Sequence, residues 1–100
     1  MDQEFSVVQD QVIVTLSGGL FVEDAAALRE TLISYIERGY KSYLVDLSRV
    51  DYIDSSGLGV LVAIQKRALQ KGGGITIKGL QGVVREVFEL TRLTKVFEIA

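Results

Sequence analysis

Two periodicities alternate along this chain, and their order limits the folds open to it. The runs Phe5 to Val8, Val12 to Leu16, Tyr43 to Leu47, Ile75 to Lys78 and Val96 to Ile99 are rich in β-branched and aliphatic residues and too brief for helices, so each reads as a strand. Between the later runs one face recurs every three or four residues. It comprises Ala25, Leu28, Leu32 and Ile36, then Leu58, Leu61, Val62, Gln65, Ala68 and Leu69, then Val83, Val84, Val87, Phe88 and Leu90. That spacing predicts three helices, the first over about Glu23 to Arg38. Gln9-Asp10-Gln11 reads as a hairpin or tight connection, Ser17-Gly18-Gly19 as the end of the second strand, and Gly39 and Gly72-Gly73-Gly74 as helix stops. Strands that alternate with helices imply crossover connections. The expectation is a small α/β domain, a mixed sheet of about five strands flanked by helices.

A chain of 100 residues can bury one hydrophobic core, so residues 1–100 are read as a single domain. The net charge of −2 arises from 13 acidic and 11 basic residues with no basic run, which argues against a nucleic-acid partner. Neither cysteine nor histidine occurs. Their absence removes disulfides, thiol catalysis, the usual zinc ligands and a Ser-His-Asp triad, and no cofactor or metal site is expected. No apolar run approaches the length of a membrane span and the first residues are acidic, so a cytoplasmic protein without a membrane partner is expected.

The informative stretch runs from Val45 to Leu61, where a strand gives way to a helix through Asp54-Ser55-Ser56-Gly57-Leu58-Gly59. A nucleophile elbow would need glycine where Ile53 stands, and no histidine exists to take a proton from Ser55. A dinucleotide fingerprint would need a third glycine where Val62 stands. Helix capping by Asp54 or Ser55 accounts for one polar residue. It leaves two serines and two glycines, each glycine costing about 1 kcal/mol relative to alanine in a helix interior. Glycines there thin the helix surface and let another backbone approach closely, and a functional surface would account for tolerating their cost.

Val45-Asp-Leu-Ser-Arg-Val-Asp-Tyr-Ile-Asp-Ser-Ser-Gly-Leu-Gly-Val-Leu61 resembles the signature of the STAS domain, and within it the anti-sigma factor antagonists. The resemblance covers the whole chain and implies a mixed sheet flanked by helices. It further implies a binding module rather than an enzyme. Ser55 would be phosphorylated by an anti-sigma factor that is also a serine protein kinase, and Asp54, Ser56, Gly57, Leu58 and Gly59 would form the adjoining partner surface. The unphosphorylated form would bind that kinase and release a sigma factor, and a phosphatase would reset the cycle. An alternative within the same resemblance is a scaffold or regulator of another signalling enzyme, or of a stressosome-like assembly. There is one departure: the family's usual Gly-x-Leu/Ile-Asp after the second strand is here Gly18-Gly19-Leu20-Phe21. Phe21 is then either an apolar partner contact or a core residue at the start of a helix. Asp46 is expected to hold the serine loop by hydrogen bonding, Tyr52 and Ile53 to lie in the core, and Lys66, Arg67 and Lys71 to form a solvated face.

Overall fold

The computed structural model describes all residues 1–100. Strand β1 (Asp2–Val8) turns back into β2 (Gln11–Leu20), followed by α1 (Val22–Glu37), β3 (Ser42–Ile53), α2 (Ser55–Gln70), β4 (Gly74–Lys78), α3 (Gly82–Leu90), a 3-10 turn at Leu93–Lys95 and β5 (Glu98–Ile99). The hairpin closes through Gln9 (φ 50°) and Asp10 (φ 66°). Two successive left-handed residues give the tight turn whose twist matches that of the strands it joins.

The strands lie in the order β1-β2-β3-β4-β5, with the first pair antiparallel and the rest parallel. Every crossover therefore steps in the same direction. Right-handed connections then place all three helices on one face of the sheet. Burial agrees: Val12, Val14 and Leu16 of β2, Tyr43, Val45 and Leu47 of β3, and Ile75 and Ile77 of β4 are sealed beneath the helices. Their neighbours Ile13, Leu44 and Thr76 on the opposite face are only partly covered. The domain has two layers, and its sheet is flanked on one side.

All four predicted inward positions of α1, Ala25, Leu28, Leu32 and Ile36, are buried. In α2 the inward residues are Gly57, Val60, Leu61, Ile64, Gln65 and Ala68, while Leu69 is exposed. The helix is thus rotated slightly from the face that the leucines alone suggest. Gln65 is the one buried polar side chain. Its Oε1 accepts from the backbone N–H of Ile75 at 2.7 Å and its Nε2 donates to the carbonyl of Val96 at 2.7 Å, joining α2 to β4 and to the last turn of the chain.

Two strands are longer than their sequence pattern suggests. β2 does not stop at Ser17-Gly18-Gly19 but continues to Leu20, and β3 does not stop at Leu47 but continues to Ile53. The cause is visible in the register. Between Thr15 and Ser17 of β2, and again between Gly18 and Gly19, β3 advances one residue more than its partner. These bulges break the period-two alternation, so the buried residues of β3 run Tyr43, Val45, Leu47 and then Val50 and Ile53. Asp46 belongs to this irregularity. It does not hold the serine loop as expected; its Oδ1 accepts from the N–H of Ser48 at 2.9 Å, and its Oδ2 lies 4.0 Å from the Lys78 ammonium. Burial pushes the Asp46 carboxyl upward, but the Ser48 hydrogen bonds and the charges of Lys78 and Arg49 outweigh it and hold the group below its ordinary value.

Candidate functional site

Pairing of β2 with β3 ends at the register pair Leu20 and Ile53. Both chains leave the sheet there, side by side, and each enters a helix within two residues. The N-termini of α1 and α2 consequently share the carboxyl end of the sheet, where functional loops of parallel sheets gather. The strand order never reverses, so no crevice opens between diverging connections. What forms instead is an open tip.

Asp54 organises that tip. It is the N-cap of α2, with extended backbone (φ −96°, ψ 179°), and its Oδ1 accepts from the N–H of Gly57 at 3.1 Å. Its Oδ2 accepts from the N–H of Val22, the first residue of α1, at 3.0 Å. Its own N–H donates to the carbonyl of Leu20 at 3.1 Å. The capping that either Asp54 or Ser55 could have supplied is thus done by Asp54. Ser55 is the first residue of α2 and exposed, with its hydroxyl not engaged in the cap; Ser56 is half-buried.

The two glycines separate. At Gly59 a β-carbon would meet nothing within 4 Å, and the residue is exposed. Gly57, expected at the contact surface, is instead buried: a β-carbon there would stand 2.6 Å from Cγ of Leu20 and 3.1 Å from Cγ1 of Ile53. Its role at the surface is indirect, because it lets α2 settle against the ends of β2 and β3. Leu58 is half-buried against the core.

Phe21 is not a core residue. It is the N-cap position of α1, 42% exposed, and its ring stacks on that of Tyr52 with centroids 5.4 Å apart and planes inclined by 26°. Tyr52, expected in the core, is 45% exposed, whereas Ile53 is buried as expected. The bulge before Tyr52 turns its side chain outward. Gly19 makes room for the pair, since a β-carbon there would lie 2.8 Å from Cζ of Phe21. The roles of Tyr52 and Gly19 were not legible in the sequence, because the bulges set which residues of β3 face outward and strand periodicity does not encode them. Lys66, Arg67 and Lys71 are exposed on the solvent side of α2 and at its end.

An exposed serine whose hydroxyl takes no part in capping, with an aromatic pair and a bare glycine at the same end of a singly wound sheet, is the arrangement of a small two-layer α/β domain with an open tip. Comparison with known proteins gives that class its family. The family model described as "Mlab, STAS domain" matches residues 4–98. The anti-sigma-B factor antagonist of Bacillus subtilis is 30% identical, with 92% of this chain and 84% of that protein covered. A crystal structure from Thermotoga maritima, 30% identical, superposes with a TM-score of 0.91 over 97% of this chain and 84% of that one. The anti-sigma factor antagonist SpoIIAA in its unphosphorylated form, at 18% identity, shares the fold with a TM-score of 0.82 over 99% of this chain and 87% of its own. The chain belongs to the STAS-domain family, among the anti-sigma factor antagonists.

Proposed function

We propose that this protein is an anti-sigma factor antagonist controlled by phosphorylation of Ser55. Unphosphorylated, it binds an anti-sigma factor that is also a serine kinase and thereby frees a sigma factor. That kinase transfers phosphate to the Ser55 hydroxyl and loses its grip, and a phosphatase restores the free serine. The protein catalyses no reaction itself and works in the cytoplasm. No helix is long and apolar enough to cross a membrane.

The observation that carries this reading is the division of labour at the start of α2: Asp54 caps the helix, leaving the hydroxyl of Ser55 exposed and available. SpoIIAA, which shares the fold, has been solved in both an unphosphorylated and a phosphorylated form. Phosphate adds about −1.5 to −2 charges and three acceptor oxygens. At a face fitted to a neutral hydroxyl, like-charge contact costs several kcal/mol, and each 1.4 kcal/mol is about tenfold in affinity. Binding falls on the order of a hundredfold or more.

Incubation with the candidate kinase and ATP, followed by phosphopeptide mapping and calorimetry of both forms, tests the proposal. Ser55→Ala binds and takes no phosphate; Ser56→Ala still takes it. Phosphate found on Ser56 alone, or an affinity loss of tenfold or less, overturns it.

A further inference from the structure

Helix α1 has no N-cap side chain to accept from its first turn; within the helix, Asp24 Oδ2 accepts only from the N–H of Phe21, at 3.4 Å. The N-cap residue is Phe21, whose side chain makes no capping hydrogen bond, and the N–H of Val22 is satisfied by Oδ2 of Asp54, 32 residues further along the chain. Asp54 therefore caps two helices with one carboxylate, one oxygen each, while its backbone N–H holds the carbonyl of Leu20. Two positive helix ends meet around the Asp54 carboxylate, and Glu23 and Asp24 add negative charge in the first turn of α1.

We propose that Asp54 is the positioning residue that fastens the Phe21 loop to the Ser55 loop, and that negative charge on Ser55 acts through it, loosening the Asp54–Val22 bond and releasing the Phe21–Tyr52 pair. This rests on the reading of Ser55 as the modified residue. The two arms of the carboxylate differ in exposure. The bond to Gly57 is partly buried, while the bond to Val22 lies in solvent. A charged group on Ser55, adjacent in the chain, repels the carboxylate and competes for the same N–H groups at the start of α2. The exposed arm yields first. Val22 and Phe21 are consecutive, and the Phe21 ring lies on Tyr52, so the loss of that bond frees the aromatic edge of the docking tip without unfolding either helix. Modification then removes two things from a partner together, the neutral hydroxyl and a fixed aromatic surface.

The test needs neither kinase nor partner, so its failure is separable from failure of the Ser55 assignment. Amide hydrogen exchange and ring chemical shifts are followed by NMR on the full chain and on Ser55→Glu. Exchange at Val22 rises roughly tenfold in Ser55→Glu, with shifts at Phe21 and Tyr52 and little change at Leu32 or Ile64 in the core. In a Phe21→Ser background α1 has a cap of its own, and the same Ser55→Glu change no longer affects Val22. Asp54→Ser, whose short side chain reaches only Gly57, exposes Val22 without any charge on Ser55; should that variant fail to fold, the Ser55→Glu pair of measurements decides alone. Val22 exchange indifferent to charge on Ser55, or equally sensitive when Phe21 is serine, overturns the proposal, since a carboxylate that merely capped α2 would behave in that way.

Discussion

The two ends of the parallel sheet have opposite designs. At the amino end, the largest cavity of the molecule, about 530 Å³, is lined by residues including Lys41, Gln65, Gly73, Val96 and Glu98. Its inner polar groups are already committed: Gln65 bridges Ile75 and Val96, the N–H of Gly74 donates to the carbonyl of Lys41 at 2.9 Å, and Gly73 is pressed against that same carbonyl. At the carboxyl end Ser55 lines no cavity at all, yet the exposed hydroxyl, the aromatic pair and the bare Gly59 collect there. The larger concavity is a joint in the scaffold, and the open tip is the docking site of the proposed function.

The contrast can be broken most forcefully at the joint. Gln65→Leu strands the N–H of Ile75 and the carbonyl of Val96, each orphaned group costing about 1–3 kcal/mol. For a domain of this size 1 kcal/mol moves the melting midpoint by about 4–8 °C, so a drop of more than about 10 °C is expected. Partner affinity per folded molecule stays unchanged. A loss of affinity without loss of stability would place function at the wrong end.

Next come the glycines of the tip. Gly57→Ala drives a methyl group into Leu20 and destabilises the domain by about 1–3 kcal/mol. Gly59→Ala meets nothing and stabilises α2 by up to about 1 kcal/mol through helix propensity, while its methyl group weakens partner binding. Chemical denaturation of the two variants with a parallel binding assay gives opposite signs of stability change; equal signs would erase the distinction between a buried and a presenting glycine.

A third test returns to the amino end. Burial pushes the Tyr43 phenol up to about 12 despite the nearby Arg38 charge, and its hydroxyl donates to the carbonyl of Tyr40 at 2.9 Å. With the folded value above the unfolded value of about 10, the phenol is neutral in both states below pH 10, where its contribution is fully present. That contribution is lost as pH rises from about 10 to about 12. Denaturation midpoints of the wild type fall across this window more steeply than those of Tyr43→Phe, and parallel curves would mean that Tyr43 is not the group responsible.

Smallest of all is the effect of modification on the tip's own stability. Phosphate on Ser55 gains about 0.3–1 kcal/mol from the helix dipole and loses a comparable amount to Asp54. The melting midpoint moves by no more than about 4–8 °C while affinity falls steeply. A collapse in thermal stability would mean that Ser55 acts by remodelling the fold.

Much of this architecture was legible in the residues because it is local. The inward stripe of α1, the left-handed stop at Gly39 (φ 97°), the hairpin at Gln9-Asp10 and the placing of a helix start at Asp54-Ser55 each depend on period, cap or turn chemistry within a few positions. The resemblance carried by Val45 to Leu61 extended that reading to the family. Tertiary structure alone decided the rest. The bulges that lengthen β3 to Ile53 and turn Tyr52 outward arise from its register with β2, which strand periodicity does not encode and in fact disguises. Gly57 is inside because Leu20 and Ile53 close over it. Asp54 serves two helices because the parallel pairing of β2 and β3 brings residues 32 apart in the chain to one carboxylate, a contact that exists only once the sheet has formed.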